Sequence, residues 1–214
     1  MPLENKKIEP LKLKYLCFDI GNVLWKLAWQ ESFEKLFGRP FAPFAAPFAA
    51  FSQSSAHWDY EMGISDDTQF FELLKQHFTQ HELRPTSQQV RQFWQDGLGA
   101  PYPWVNETLQ LLARHFRLVA LSNTNPFHFQ IFSRQQEFAD FLKIFASHQL
   151  KLRKPDPQIY QHVTSALAVR PENILFMDDL LENIESAHAL GWQTWHCTDS
   201  QKLFQQLPRL LKIS

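Results

Sequence analysis

The chain has 214 residues, enough for one domain with a large insertion or for two small domains. Hydrophobic residues make up 44% of it, which excludes global disorder, and a formal net charge of -1 gives no electrostatic basis for capturing nucleic acid or anionic membrane. Met1 to Pro10 carries Glu4, Lys6, Lys7 and Glu9 with no apolar core for a signal peptide, and no apolar run is long enough to span a bilayer, so a cytoplasmic protein is expected. The two cysteines, Cys17 and Cys197, lie in apolar strand-like runs without metal or redox spacing, as expected of structural thiols in a reducing compartment.

In chain order, Tyr15-Leu16-Cys17-Phe18 runs into Asp19 and a Gly21-Asn22 turn signal, which predicts a buried strand with a carboxylate at its end. A helix is predicted from Leu27 to Phe37, closed by Gly38. Phe41, Phe44, Phe48 and Phe51 then recur at helical spacing in a Phe/Ala/Pro stretch, predicting a short, very apolar helix bent at Pro47. Such a stripe is core more often than a substrate lid. Ser65 or Asp66 is suited to cap a helix carrying Phe70, Phe71, Leu74 and Phe78, and a second helix should follow Thr86-Ser87 and stop at Gly97 and Gly99. Residues 26–99 therefore read as all-helical.

From Asn106 onward helices and apolar strands alternate. Strands are expected at Arg117–Ser122, Lys143–Ser147, Asn173–Met177 and Trp192–Cys197. Helices are expected at Asn106–His115, after Pro126, at Asp156–Ala168 and at Glu182–Leu190. This alternation implies an α/β fold, a Rossmann-like parallel sheet with helices on both faces, interrupted after its first strand by the helical block. The predicted division is a core of residues 1–25 and 100–214 and an insertion of 26–99.

Polar residues collect where the strands end: Asp19, Ser122-Asn123, Lys154 in Arg153-Lys154-Pro155, and Asp178-Asp179. Parallel strands bring these ends to one edge, where open α/β sheets bind ligands. Carboxylates suit a hard cation such as Mg²⁺, and a lysine with a hydroxyl suits a phosphoryl group. Each residue alone has a plain explanation as a helix cap or surface charge; their common position does not. Nine histidines are scattered without metal spacing, and tryptophans such as Trp58, Trp104, Trp192 and Trp195 read as core.

The sequence resembles the haloacid dehalogenase-like hydrolase superfamily over essentially its whole length. The motifs occur in order as Phe18-Asp19-Ile20-Gly21-Asn22-Val23, Leu121-Ser122-Asn123-Thr124, Arg153-Lys154-Pro155, and Met177-Asp178-Asp179 followed by Glu182-Asn183-Ile184. The insertion resembles a C1-type cap, with Tyr60-Glu61-Met62-Gly63-Ile64-Ser65 as a recurring cap phrase. The variants are most similar to the branch of glucose-1-phosphate phosphatases and epoxide-hydrolase N-terminal domains.

The resemblance implies a Mg²⁺-dependent phosphatase of a small phosphorylated metabolite, a sugar phosphate being one candidate. It makes Asp19 the nucleophile, places the phosphoryl group on Ser122, the Asn123 amide and Lys154, and places Mg²⁺ on Asp19, the Gly21 carbonyl and Asp179, with Asp178 and Asn183 orienting them. The family's phosphatases carry a general acid two residues after the nucleophile, where this chain has Gly21. Three outcomes are open: water or another side chain substitutes, the leaving group needs little help, or turnover is lost. A 2-haloacid dehalogenase and a catalytically silent binding protein are the competing readings.

Overall fold

The computed structural model describes residues 8–213; residues 1–7, most of the stretch read as lacking a signal peptide, and residue 214 lie outside it. The chain forms β1 (Tyr15–Phe18) and a two-residue strand β2 (Trp25–Lys26), then helices α1 (Trp29–Phe37), α2 (Ala42–Ser52), α3 (Ser55–Glu61), α4 (Asp67–Gln80) and α5 (Ser87–Gly97). After β3 (Ala100–Pro101) come α6 (Val105–Ala113), β4 (Arg117–Ser122), α7 (Pro126–Phe132), β5 (Phe141–Ala146), α8 (Ser147–Leu150) and α9 (Pro157–Leu167). The remainder is β6 (Ile174–Asp178), α10 (Leu181–Ala189), β7 (Gln193–His196) and α11 (Ser200–Leu210).

The main sheet has the order β5-β4-β1-β6-β7, and all its pairings are parallel. β1 is central and every residue in it is buried, because helices cover both faces. Its alternation divides those faces. Leu16 and Phe18 join Leu109, Leu112, Leu203 and Leu207 on one side, while Tyr15 and Cys17 join Tyr160, Val163, Ile184 and Trp192 on the other. Both cysteines are free and buried, and burial pushes both thiols up, Cys197 to about 12. Among the described residues, no helix is long and apolar enough to cross a membrane.

The inserted helices build a third, aromatic core from Phe33, Phe44, Phe48, Phe51, Tyr60, Phe70, Phe78, Phe93 and Trp94. Capping boxes at Asp66/Gln69 and Thr86/Gln89 start α4 and α5, and Gly38 closes α1 in the left-handed conformation. The Phe/Ala/Pro stretch forms one helix, α2, with Pro47 inside it: Phe44 and Phe48 lock it into the aromatic core, and the Pro47 carbonyl accepts a hydrogen bond from His77 Nε2 (3.0 Å). One expectation needs correction. The borders of the insertion are not helical, since antiparallel β2 and β3 form a small ribbon where the chain leaves and re-enters the sheet.

Phe44 stacks on Phe33 and Phe78 at centroid separations of 5.1 and 5.0 Å. Phe44→Ala should destabilise the protein by about 3–5 kcal/mol through the cavity it leaves, and Phe44→Leu by less than half of that, as read by denaturant unfolding. Equal effects would contradict the cavity account, because leucine restores much of the lost volume.

Candidate active site

Asp19 follows β1 directly, and its backbone N–H donates to the Met177 carbonyl (2.8 Å), which ties the start of the loop to β6. Lys154 reaches it from the segment between β5 and α9. The ammonium lies 2.8 Å from Asp19 Oδ1 and 2.6 Å from Asp178 Oδ2, and the lysine is 1% exposed. Such burial is tolerable only because two carboxylates receive the charge. Burial by itself would lower the Lys154 pKa, but Asp178 and Asp19 outweigh it and hold the ammonium charged.

Asp178 is fully buried behind the lysine, and its Oδ1 accepts from Leu180 N–H (2.8 Å) and Asn183 Nδ2 (2.9 Å). Asn123 clamps Lys154 through the main chain. Its Nδ2 donates to the Lys154 carbonyl (2.9 Å), and its Oδ1 accepts from the Lys154 N–H (2.8 Å). Asp179 accepts from Asn22 Nδ2 (2.9 Å), Asn22 having left-handed backbone at φ 55°.

The predicted residues Asp19, Gly21, Ser122, Asn123, Lys154, Asp179 and Asn183 all line one cavity of about 300 Å³; only Asp178 is withdrawn behind it. Trp29, Phe48, His57, Glu61 and Trp94 line the same cavity from the inserted helices. The Phe41–Phe51 stripe is thus mainly core, with Phe48 serving also as wall. Tyr60 does not face the site: it is fully buried, with its hydroxyl donating to Asp67 Oδ1 (2.6 Å).

Several residues here carry no sequence signal of their role. Glu61 pairs with Arg153 (3.1 Å), whose guanidinium lies over the Trp58 ring at 4.9 Å. Ser147 Oγ accepts from Thr124 N–H (2.8 Å) and donates to the Glu61 carbonyl (2.6 Å), and Lys151 Nζ donates to the Gly63 carbonyl. Gly63 has φ +60°, and a Cβ there would come within 2.6 Å of the His148 carbonyl, so the close approach requires glycine. The Tyr60–Gly63 phrase is therefore the seam joining the inserted helices to the sheet edge. At Gly21 an added Cβ would sit 3.4 Å from Leu27 Cδ1, against an apolar side chain.

The profile of haloacid dehalogenase-like hydrolases matches residues 13–191. The chain belongs to that family. This hydrolase is 36% identical over 85 residues, 40% of its length, to a sesquiterpene phosphatase of Aspergillus oryzae, and the match spans 43% of that relative. It is 23% identical over 206 residues to the D-ribitol-5-phosphate phosphatase of Bacteroides thetaiotaomicron, covering 93% of this chain and 98% of the relative. A solved HAD family enzyme of the same bacterium, in complex with magnesium and inorganic phosphate, superposes with a TM-score of 0.69 at 23% identity, over 86% of this chain and 93% of that one. The L-2-haloacid dehalogenase RSc1362 shares the fold too, with a TM-score of 0.74 at 17% identity, over 90% and 97% of the two chains.

In this hydrolase one carboxylate oxygen from each of Asp19, Asp178 and Asp179 lies within 4.8 Å of the other two. Burial pushes Asp19 up to about 8 against the pull of Lys154, with Asp178 and Asp179 adding to the rise, and burial also raises Asp179. Three crowded carboxyls facing one ammonium form a donor set that suits a hard divalent cation. Asn183 Oδ1, buried with no hydrogen-bond partner, lines the same cavity and fits the hydration shell such an ion carries.

His128 stacks on Trp94 (5.0 Å, 7°), with Nε2 donating to the Trp94 carbonyl (2.7 Å) and Nδ1 3.3 Å from Asn125 Nδ2. Burial pushes its pKa from 6.5 down to about 4, so the folded ring is neutral. Its contribution is complete above pH 6.5 and is lost as pH falls to 4, because the unfolded chain takes up the proton first. The loss amounts to roughly 3 kcal/mol. The stability difference between pH 7 and pH 4 should shrink by about that amount in His128→Asn. An unchanged difference would show that the ring is not held neutral.

Proposed function

We propose that this hydrolase is a Mg²⁺-dependent phosphatase of a small phosphorylated metabolite, acting through an aspartyl-phosphate on Asp19, with residues 26–99 as a cap over the site and residues 1–25 and 100–214 as the core. The observation that carries this reading is the placement of one buried ammonium, Lys154, between Asp19 and Asp178, with Asp179 beside them. Cleaving carbon–halogen bonds calls for one attacking carboxylate and no cation site. Phosphoryl transfer calls for concentrated positive charge around three oxygens, which a cation and a lysine supply together. The phosphatase relatives agree with that preference.

In this mechanism Asp19 attacks phosphorus along the axis of the leaving oxygen, and the P–O bond to the alcohol breaks. Ser122, the Asn123 amide and Lys154 hold the phosphoryl oxygens. Water then attacks the same phosphorus, releasing phosphate and restoring the Asp19 carboxylate. Asp19, the Gly21 carbonyl and Asp179 would hold Mg²⁺, which supplies charge neutralisation and keeps the nucleophile ionised. Asp178 fixes the lysine, and Asn183 fixes Asp178. The 300 Å³ cavity is at the small end of ligand sites, which suits a metabolite of one ring or short chain.

Asp19→Asn should reduce phosphate release to background, and Asp179→Ala should abolish the Mg²⁺-dependent rate while leaving the fold intact. A small phosphate-ester panel assayed with Mg²⁺ and with chelator tests both. Activity of Asp179→Ala in chelator would contradict the metal assignment. Halide release from 2-haloacids without a metal requirement would favour the dehalogenase reading.

A further inference from the structure

The family's usual acid position is Gly21, where a side chain would meet Leu27 rather than a proton donor. Without an acid, charge builds on the leaving oxygen as the P–O bond breaks, and an unassisted alkoxide forfeits about 10²–10⁴-fold in rate. The titratable side chains that line the cavity beyond the Asp19–Lys154–Asp179 group are His57, Glu61, His128 and Arg153. Three of these cannot serve. Arg153 does not give up its proton. Glu61 is engaged by the Arg153 guanidinium at 3.1 Å. His128 is a neutral ring whose Nε2 proton is committed to the Trp94 carbonyl and whose Nδ1 faces Asn125.

His57 has the opposite arrangement. Its Nδ1 lies 2.9 Å from the Ser52 carbonyl, which can only accept, so Nδ1 carries a proton and Nε2 is the nitrogen that exchanges. Nε2 lies 3.9 Å from Glu61 Oε1, an ion-pair partner whenever the ring holds its second proton. The side chain is 15% exposed, and it is walled by Phe51, Phe70 and Trp94. The charged and titratable groups facing it are Glu61 on its own helix, Arg153 behind Glu61, and neutral His128 beyond Trp94. The Ser54 hydroxyl, accepting from the His57 N–H, caps that helix and fixes the residue at its start.

We infer that His57, placed over the site by the inserted helices, is the general acid that replaces the missing aspartate; this rests on the phosphatase reading above. Nε2 donates its proton to the leaving oxygen as the P–O bond breaks, so the alcohol departs neutral and the ring is left with one proton, on Nδ1. The ring then takes a proton from the water that attacks the aspartyl-phosphate, which returns it to its starting state. Glu61 holds the ring's orientation and does not touch substrate.

The test compares 4-nitrophenyl phosphate with benzyl phosphate, esters of similar size whose leaving groups differ widely in basicity. kcat/KM is measured across pH, since it reports the phosphoryl-transfer step. His57→Asn keeps a donor to the Ser52 carbonyl but has no exchangeable ring proton. It should lower the benzyl/4-nitrophenyl ratio of kcat/KM by about 10²–10³-fold and remove the alkaline limb of the benzyl phosphate profile. Thermal unfolding and circular dichroism confirm that the variant is folded. An equal loss on both esters, or a wild-type benzyl rate, overturns the role of His57 alone. No Mg²⁺-dependent phosphate release from either ester by the wild-type enzyme overturns the phosphatase reading and this inference with it.

Discussion

The structure depends on a lysine ammonium buried between two carboxylates. Removing one partner of such a pair generally costs about 3–5 kcal/mol, because the remaining charge is left buried and uncompensated. Asp19 leaves β1, Asp178 ends β6, and Lys154 lies between α8 and α9, so the contact holds segments that lie far apart in sequence. Asn123 at the end of β4 adds a fourth through its two hydrogen bonds to the lysine backbone. The geometry that stabilises the sheet edge is the same geometry that would present a nucleophile beside a fixed positive charge. Preorganisation of this kind needs no rearrangement when charge develops.

The inserted helices are joined to that edge by both polar and aromatic contacts. Their own core is a continuous set of rings, and the seam includes Glu61 with Arg153, Ser147 with the Glu61 carbonyl, Lys151 with Gly63, and His128 stacked on Trp94 and bonded to its carbonyl. A two-strand ribbon stands at the root of this block. This division separates the two tasks of the chain. Lys154 and the carboxylates sit at the sheet edge, whereas the facing wall of the cavity comes from α1, α2, α3 and α5.

Much of this was legible in the sequence, for physical reasons. The strands were visible because a parallel sheet covered on both faces demands near-continuous apolar runs, as in Tyr15–Phe18 and Ile174–Met177. The helix starts at Asp66 and Thr86 were visible because capping depends on local side chains. The polar residues at the strand ends were brought together by topology alone. What stayed hidden depended on contacts across the insertion. Nothing local marks Glu61 as facing Arg153, or Ser147 as bridging Thr124 and Glu61. Pro47 lies within α2 as read, where tertiary packing of Phe44 and Phe48 outweighs the local penalty of a proline within a helix. The ribbon of β2 and β3 is too short to show a period, and α11 lay in a C-terminal stretch for which no helix was predicted.

The central claim is that the Asp19 carboxylate attacks phosphorus. Rapid acid quench of a single turnover with Mg²⁺ and a phosphate ester, followed by mass analysis of the peptide containing Asp19, tests it most directly. The account predicts a transient gain of one phosphoryl mass on Asp19, absent from Asp19→Asn and gone once turnover is complete. Phosphate released in that turnover with Asp19 never modified, or with the phosphoryl group on another residue, would contradict it.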